Sequence, residues 1–318
     1  MHTLFRDAAG PSLAPRGSVV CIGAFDGVHR GHQAVLVRVR ERAAQLGATP
    51  AAISFEPIPR EFFAPGAAVP RLTSAREKVE RLFAGGIERL LLLRFDANMA
   101  AMSAEDFVER VLVQRLSARE IWVGEDFRFG HRRGGDVALL RRMGEALGFR
   151  AETLAPVEAD GERVSSSRIR ALLGAGRFEA AARLLGRPFA IGGHVVRGQQ
   201  LGRRLGYPTA NLRLGRRVSP VQGIFAVYVH GIGPASRAGV ASLGVRPTVN
   251  GTEPLLEAHV FDFDGDLYGR RISVEFIAKL RDEEKFPDLD TLVRQIDRDA
   301  MQARQILGLV DASAGAMT

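Results

Sequence analysis

From Val19 to about Leu154, short β-branched or apolar runs alternate with amphipathic stretches of helical length, the arrangement that builds a parallel α/β sheet. Val19–Ala24, Ala51–Phe55, Arg89–Phe95, Glu120–Val123 and Arg150–Leu154 read as strands, with helices between them. Ser74 precedes Glu77 at capping-box spacing, and Ser103 opens a segment with Glu105 and Asp106 in its first turn, so both helices have marked starts. Ser167–Leu173 and Phe178–Leu185 read as a short helical pair broken by Gly174 and Gly176, and Pro188 marks a boundary. Beyond it, Gly and Pro punctuate short alternating segments, Phe225–His230, Leu256–Phe263 and Arg271–Ile277, which predict an antiparallel barrel or sandwich. Phe286, Leu289, Leu292, Val293, Ile296 and Ile306 recur by threes and fours, predicting a helix that lays one apolar face on that β layer. The expected fold is an α/β N-terminal domain joined closely to a mostly β C-terminal domain closed by a helix, with a disordered tail from Ala312.

A length of 318 residues suits two domains, and 46% apolar with 25% charged residues is the balance of a soluble globular chain. Cys21, the single cysteine, excludes an internal disulfide, and the run Leu90–Leu93 falls far short of the roughly 18 residues that cross a bilayer. The N-terminus lacks the basic start and apolar stretch of a signal peptide, so a cytoplasmic location with no membrane partner is expected. The net charge of +8 invites a nucleic-acid partner. Its distribution argues otherwise: Lys78, Lys279 and Lys285 are the lysines among 44 basic residues, and the arginines scatter along the chain without basic runs or aromatic interleaving. Small molecules rather than nucleic acid are the expected partners.

The segment GAFDGVHRGH, Gly23–His32, leaves the first predicted strand, turns on glycines and enters a helix near Gly31. Open α/β sheets bind ligands outside the carboxyl ends of their strands, and a helix N-terminus offers unpaired N–H groups and partial positive charge to an anion. Gly23, Phe25, Asp26, Gly27 and Gly31 are therefore candidates to lie against phosphate, with His29 and His32 adding two imidazoles. No third ligand stands nearby to make the histidines a metal pair, and the plainer alternative is two surface histidines at a helix start. VGEDFRFG, Val123–Gly130, followed by Arg133 and Asp136, places Phe127 and Phe129 where they either line a pocket for a flat ligand or pack a loop. In RVSSSRIR, Arg163–Arg170, the serines Ser165, Ser166 and Ser167 are placed to cap the next helix.

HxGH at this location resembles the signature of the nucleotidyltransferase superfamily, whose members transfer a nucleotidyl group and release pyrophosphate. The resemblance implies that His29 and His32 steady the α-phosphate as charge builds on it, positioned donors being usually the largest catalytic contribution. It also implies that the serine turn, with Arg168 and Arg170, holds the leaving phosphates. In this order, GAFDGVHRGH, FEPIPREFF, VGEDFRFG and RVSSSRIR resemble the N-terminal FMN adenylyltransferase module of the bacterial bifunctional riboflavin kinase/FAD synthetase family. A Rossmann-like nucleotidyltransferase domain over residues 1–186 follows from that likeness, with Gly124, Asp126, Phe127 and Phe129 assigned to flavin. Two positions depart from the pattern. Ile58 stands in FEPIP where many members have His and some Gln, removing a polar contact to the nucleotide, and Ser167 replaces the more usual Thr while keeping the hydroxyl.

The second half carries GHVVRGQQLGRRLGYPTANL, Gly193–Leu212. No GxxxxGK[ST] phosphate loop and no protein-kinase signature occurs anywhere, so a kinase here needs another scaffold. Gly198, Gly202 and Gly206 let backbone approach a polyphosphate, and Thr209 and Asn211 offer neutral oxygens suited to Mg2+, although Thr-Ala-Asn by itself is more often a turn. In LEAHVFDF, alternation puts Leu256, Ala258 and Val260 on one strand face and Glu257, His259 and Phe261 on the other. GRRLGYPTANL, GVASLGVRPTV, LEAHVFDFDGDLYG and LRDEEKF, in that order, resemble the riboflavin kinase module of the same family, placed here over residues 187–318. The resemblance makes Glu257 the general base toward the ribityl 5′-hydroxyl, Thr209 and Asn211 the Mg2+ residues, and Arg281 and Glu284 part of a loop closing over flavin. His259 is expected to be structural. The implied activity is conversion of riboflavin to FMN and then of FMN to FAD, each with ATP and Mg2+. Two alternatives stay open: a monofunctional riboflavin kinase with an inactive nucleotide-binding domain, motivated by Ile58, and an arginine-rich nucleic-acid binder, motivated by the charge.

Overall fold

A computed structural model describes residues 2–64, 69–198, 202, 205–215, 218–248 and 251–310. The expected tail from Ala312 lies outside them. The contacts divide the chain into one unit of Met1–Val69 with Thr73–Ser166 and a second of Pro70–Leu72 with Ser167–Thr318.

In the first unit, β1 (Thr3–Phe5), β2 (Ser18–Ile22), β3 (Thr49–Glu56), β4 (Arg89–Arg94), β5 (Ala118–Gly124) and β6 (Arg150–Leu154) form a parallel sheet in the order β1-β4-β3-β2-β5-β6. The connecting helices are α1 (Arg30–Leu46), α2 (Pro59–Phe63), α3 (Ala75–Ala84), α4 (Ala97–Ala101), α5 (Ala104–Asp106, continuing as a π-helix over Phe107–Arg115) and α6 (Val137–Leu147). Period-two alternation fills both faces of the sheet. Val20, Ile22, Ile53 and Leu91 pack against Phe107, Val111 and Leu140, whereas Val19, Cys21, Ala52 and Leu90 pack against Leu36, Val39 and Leu82. All five sequence-predicted strands are present. The additional β1 is too short to show periodicity, and the Arg115 guanidinium secures its connection by donating to the carbonyls of Asp7 and Pro11. Ser74 and Ser103 cap their helices as their spacing predicts, accepting from the N–H groups of Glu77 and Asp106.

A hairpin of β7 (Glu158–Ala159) and β8 (Glu162–Arg163) turns at Asp160 and Gly161, both with positive φ, and leads into α7 (Ser166–Gly174) and α8 (Phe178–Leu185). In the second unit, β9 (Ala190–Val196), β10 (Thr209–Arg213), β11 (Gly223–His230), β12 (Arg237–Thr248), β13 (Gly251–Val260) and β14 (Arg271–Arg281) close into an antiparallel barrel ordered β10-β13-β12-β11-β14-β9. Pairing of Asn211 with Val196 and of Leu212 with Val195 completes the ring, which decides for a barrel over a sandwich. Phe178 of α8 lies edge-on to Phe225 and parallel to Phe276, at 5.8 and 6.1 Å between centroids, so α8 delivers an aromatic ring to the barrel core.

The last helix, α9 (Leu289–Ile306), lies on the outer faces of β11, β12 and β14. It begins three residues later than its apolar spacing suggests, because Asp288 after Pro287 accepts the Thr291 N–H at 2.7 Å and caps it there. Its packing also differs from expectation. Ala300 and Ala303 meet Ala226, Val240 and Phe261 on the barrel, while Leu289, Leu292 and Ile296 wall a cavity instead of sealing against the strands. Small residues bring the second half of the helix close, and large ones leave space beside the first half.

Candidate active sites

Strand β2 occupies the point where the order of the strands reverses, with β3 on one side and β5 on the other. This is where open α/β sheets gather ligands. The chain leaves β2 through a contorted loop in which Phe25, Gly27 and Val28 have φ of 49°, 87° and 41°. Bulky residues in the left-handed region cost energy unless their surroundings over-determine them. Here they do. The buried Asp26 carboxylate accepts from the Thr73 N–H and hydroxyl at 3.1 and 3.3 Å, and Gly27 N–H donates to Thr73 Oγ1 at 3.1 Å. Gln33 donates to the Val28 carbonyl, and Ser166 Oγ donates to the Asp26 carbonyl at 2.9 Å, joining the serine turn to the glycine loop. Asp26 thus shapes the loop rather than presenting its carboxylate to an anion.

His29 caps α1, its Nδ1 accepting from the His32 N–H at 3.4 Å, which leaves the proton of a neutral ring on Nε2. The two imidazoles stack with centroids 3.7 Å apart and planes 16° from parallel. A Cβ at Gly31 would stand 3.2 Å from the His29 ring, a tight contact, so glycine at this position lets the stack form without displacing the ring. Burial, with His29 and Lys78 nearby, pushes the His32 pKa well below the usual histidine range, and its Nδ1 is buried without a hydrogen-bond partner. An imidazole held neutral at a helix start, as His32 is, is suited to donate a hydrogen bond toward an anion.

The loop after β5 resolves the two phenylalanines differently. Phe129 is 9% exposed and belongs to the sheet's core against Phe107, whereas Phe127 is half-buried and stacks on it at 5.5 Å between centroids. Phe129 supports the loop, leaving Phe127 as the ring within reach of a ligand. Gly124 accepts from the Phe127 N–H, and Asp126 pairs with Arg163 at 2.9 Å on the surface. Arg168 lies in the first turn of α7, and Arg170 donates from Nε to the Pro70 carbonyl at 2.6 Å. Ser165 immediately precedes the helix and Ser167 is its second residue.

On the barrel, register brings the second set together. Asn211 of β10 stands opposite Glu257 of β13, which stands opposite Ser242 of β12, while Thr209 and Val240 flank His259 in the next row. Leu256, Ala258 and Val260 point into the barrel, each at most 4% exposed, so Glu257 and His259 face outward as alternation predicts. They open onto the cavity of about 620 Å3 whose far wall is α9. Thr209, Glu257, Arg281 and Glu284 all line it. Arg281 is also the clasp of this wall: its guanidinium binds the buried Asp299 of α9 through Nε at 2.9 Å and Nη2 at 2.7 Å, which raises its pKa, and it lies over the Phe286 ring.

The Thr-Ala-Asn segment is a strand rather than a turn. Asn211 is 6% exposed; its Nδ2 donates to the Thr209 carbonyl, and its Oδ1 is buried without a hydrogen-bond partner. A buried orphan oxygen beside the Thr209 side chain fits a hard cation. Gly198 and Gly202 press close to it. A Cβ at Gly198 would come within 2.9 Å of the Asn211 side chain, and one at Gly202 within 2.3 Å of the Tyr207 carbonyl, while Gly206 has φ of 85°. His259 donates from Nδ1 to the Pro208 carbonyl at 2.9 Å, and burial lowers its pKa, the behaviour of a structural histidine.

Two family models match this architecture, FAD synthetase over residues 12–168 and riboflavin kinase over residues 185–307. A bifunctional riboflavin kinase/FMN adenylyltransferase of Pseudomonas fluorescens is 48% identical over 294 residues, covering 92% of this chain and 93% of that protein. The chain belongs to the bifunctional riboflavin kinase/FMN adenylyltransferase family. The Escherichia coli K12 relative of the same name is 44% identical over 307 residues, covering 96% of this chain and 98% of its own. Among solved structures, a crystal structure of a Streptococcus pneumoniae protein titled macrolide-efflux protein superposes with a TM-score of 0.78 at 30% identity, covering 95% of this chain and 98% of that one. No helix among the described residues is long and apolar enough to cross a membrane.

Within this riboflavin kinase/FMN adenylyltransferase frame, three features have no role assigned from the sequence motifs, an aromatic cluster, a buried lysine and a tyrosine contact to α9, and Ile58 takes a definite place. Phe55 of β3, Phe62 and Phe63 of α2, and Phe95 after β4 form an edge-to-face cluster with centroids 5.2–5.6 Å apart, and Phe63 is 66% exposed. The motif FEPIPREFF carried that signal. Ile58, at the cap position of α2, is 3% exposed, and its N–H donates to Glu61; its side chain is a core contact at the base of the aromatic cluster's helix. Lys78 of α3 is fully buried, which no spacing rule anticipates. On the barrel, Tyr207 donates its hydroxyl to Asp297 of α9, and burial with that contact pushes its pKa up to about 12.

Proposed function

We propose that the chain makes FAD in two steps, each an attack on ATP at a different phosphorus atom. On the barrel, the Glu257 carboxylate takes the proton of the riboflavin 5′-hydroxyl as that oxygen attacks the γ-phosphorus; ADP leaves and FMN forms. The observation that carries this reading is the row Asn211, Glu257 and Ser242 across adjacent strands, from which Glu257 and Ser242 open onto a cavity with one apolar wall. An isoalloxazine ring suits that cavity, with Leu292 and Ile296 against its plane and Arg281 and Glu284 at its rim. Thr209 and Asn211 are the residues to hold Mg2+, which would neutralise charge on the ATP phosphates. Gly198, Gly202 and Gly206 let the preceding backbone approach those phosphates.

In the parallel-sheet unit, a phosphate oxygen of FMN attacks the α-phosphorus of a second ATP, and pyrophosphate leaves. The loop Gly23–Gly31 presents N–H groups at the start of α1, and His29 and His32 donate as negative charge grows on the α-phosphate. Ser165–Ser167, Arg168 and Arg170 are assigned to the departing phosphates. Phe127, carried on Phe129, and the surface of the Phe62–Phe63 cluster offer flat apolar contact for flavin, with Gly124 and Asp126 shaping the loop. We assign residues 1–186 to adenylyl transfer and 187–318 to the kinase, and place the enzyme in the cytoplasm. Product analysis after mixing the protein with riboflavin, ATP and Mg2+ tests the whole reading: FAD with transient FMN supports it, FMN alone removes the second step, and neither product removes both.

A further inference from the structure

Lys78 is the one lysine of the first unit. It has no exposed side-chain surface, a position in which an ammonium costs several kcal/mol unless its charge is answered. From the first turn of α3 its Nζ reaches the Phe55 carbonyl at 2.8 Å, the Ala24 carbonyl at 3.3 Å and the Glu56 carboxylate at 3.1 Å. Those acceptors are the carboxyl ends of two adjacent parallel strands. Ala24 is the residue immediately before Phe25, where the left-handed loop begins, and its carbonyl also accepts from Ser54 Oγ at 3.2 Å. An apolar residue would fill the same volume without a desolvation cost, as Leu82 does one helical turn further along α3. The charge therefore answers a need that packing does not.

We propose that Lys78 is a positioning residue for adenylyl transfer, its ammonium fixing the backbone from which the histidine loop departs. The inference rests on the reading that this loop carries the second reaction. The Lys78 contacts bind the base of the loop to β3 and α3, while the hydrogen bonds to the Asp26 and Val28 carbonyls hold its crown, so the left-handed Phe25 and Val28 are secured from both sides. Electrostatics runs in the same direction. Burial is the main cause that disfavours protonation of His32, His29 and then Lys78 add to it, and Glu56 offsets part of the Lys78 charge at 3.1 Å. His32 accordingly stays a neutral donor while a fixed positive charge remains beneath a site built for phosphate.

The test uses the full-length protein with Lys78→Met, which keeps the volume and removes the charge, and Lys78→Arg, which keeps the charge. In Lys78→Met, kcat for FAD formation from FMN and ATP is expected to fall roughly 10- to 100-fold, as displacement of a reacting group costs. Its acid limb moves to higher pH because His32 is easier to protonate. FMN formation by the same molecules stays within about twofold, the internal check that the chain is folded. Lys78→Arg keeps the acid limb in place. Imidazole NMR titration of His32 provides a readout independent of turnover, with an upward movement expected in Lys78→Met. An unmoved His32 titration, or FAD formation at the wild-type rate in Lys78→Met, overturns the proposal. Wild-type protein that makes no FAD sinks the functional reading instead, and the titration still decides what Lys78 does to His32.

Discussion

The two candidate sites of this chain are built on opposite principles. The parallel-sheet site lies where strands end: one contiguous loop, a helix start and two stacked imidazoles, with backbone geometry doing most of the selection. The barrel site lies on the outer face of strands in mid-course, where Asn211, Glu257 and Ser242 come from three strands and meet through register alone. The first holds its shape by strain that neighbours restrain, the second by a ladder that needs no strain. Attack at an α-phosphorus calls for donors around a charge that builds on a bound nucleotide. Phosphorylation of an alcohol calls for a base, and on the barrel the Glu257 carboxylate lines a cavity.

This contrast predicts which lesions separate the activities. Replacing both His29 and His32 by Ala removes two donors each worth roughly 10²–10³ in rate, so FAD formation should fall roughly 10⁴- to 10⁶-fold while FMN formation is untouched. Chromatography of FAD and FMN from riboflavin shows both effects in one assay, and equal loss of both products would break the division of labour. Glu257→Gln should act in mirror image. It preserves shape and lowers riboflavin phosphorylation about 10³-fold, leaving conversion of supplied FMN to FAD intact. Full kinase activity in that variant across neutral pH removes Glu257 as the base.

The two sites were also unequally legible. The HxGH loop reads directly because its parts are contiguous: glycine, histidine and helix start fall within ten residues, and only the stacked geometry and the role of Asp26 needed coordinates. The barrel site spans Gly198 to Asp299, and no local pattern states that Asn211 will face Glu257. Period-two alternation placed Glu257 outward, but its partners depend on strand pairing and the cavity on α9. The misreading of α9 is instructive. Leu289, Leu292 and Ile296 have the spacing of a core stripe, and hydrophobicity alone does not distinguish a wall against protein from a wall against ligand. Ile58 shows the converse. As a departure from the resembled motif it suggests a lost nucleotide contact, and the sequence does not show that its side chain is buried.

A smaller effect probes how α9 is held to the barrel. Arg281 and Asp299 are 17% and 6% exposed at their side chains, so Asp299→Ala leaves a largely buried guanidinium without its bidentate partner. Loss of about 3 kcal/mol from the barrel unit is expected, seen by calorimetry as a lowered transition for that unit with the other unmoved. The double variant Arg281→Met with Asp299→Leu should recover most of that stability, since a buried pair replaced as a pair is often neutral. It should still bind riboflavin less tightly, because the charged rim of the cavity is gone. Recovery of both properties would assign Arg281 to structure alone.

The smallest effect concerns the Tyr207 hydroxyl, which joins the residue before Pro208 to Asp297 of α9. Because burial and Asp297 raise its pKa to about 12, the hydroxyl keeps its proton and donates throughout any ordinary assay range. Tyr207→Phe keeps the ring that packs edge-on to His259 at 5.0 Å and removes only this donor. A partly exposed hydrogen bond to a charged acceptor is worth about 1 kcal/mol, or roughly fivefold in an equilibrium constant. If the contact holds α9 against the strand that carries Thr209 and Asn211, the fivefold cost falls on the apparent affinities for riboflavin and ATP together, because both ligands meet elements joined by this one bond. A change confined to riboflavin would place the clasp on the helix side of the cavity alone, and no change in either would show that Arg281 and Asp299 suffice to hold it.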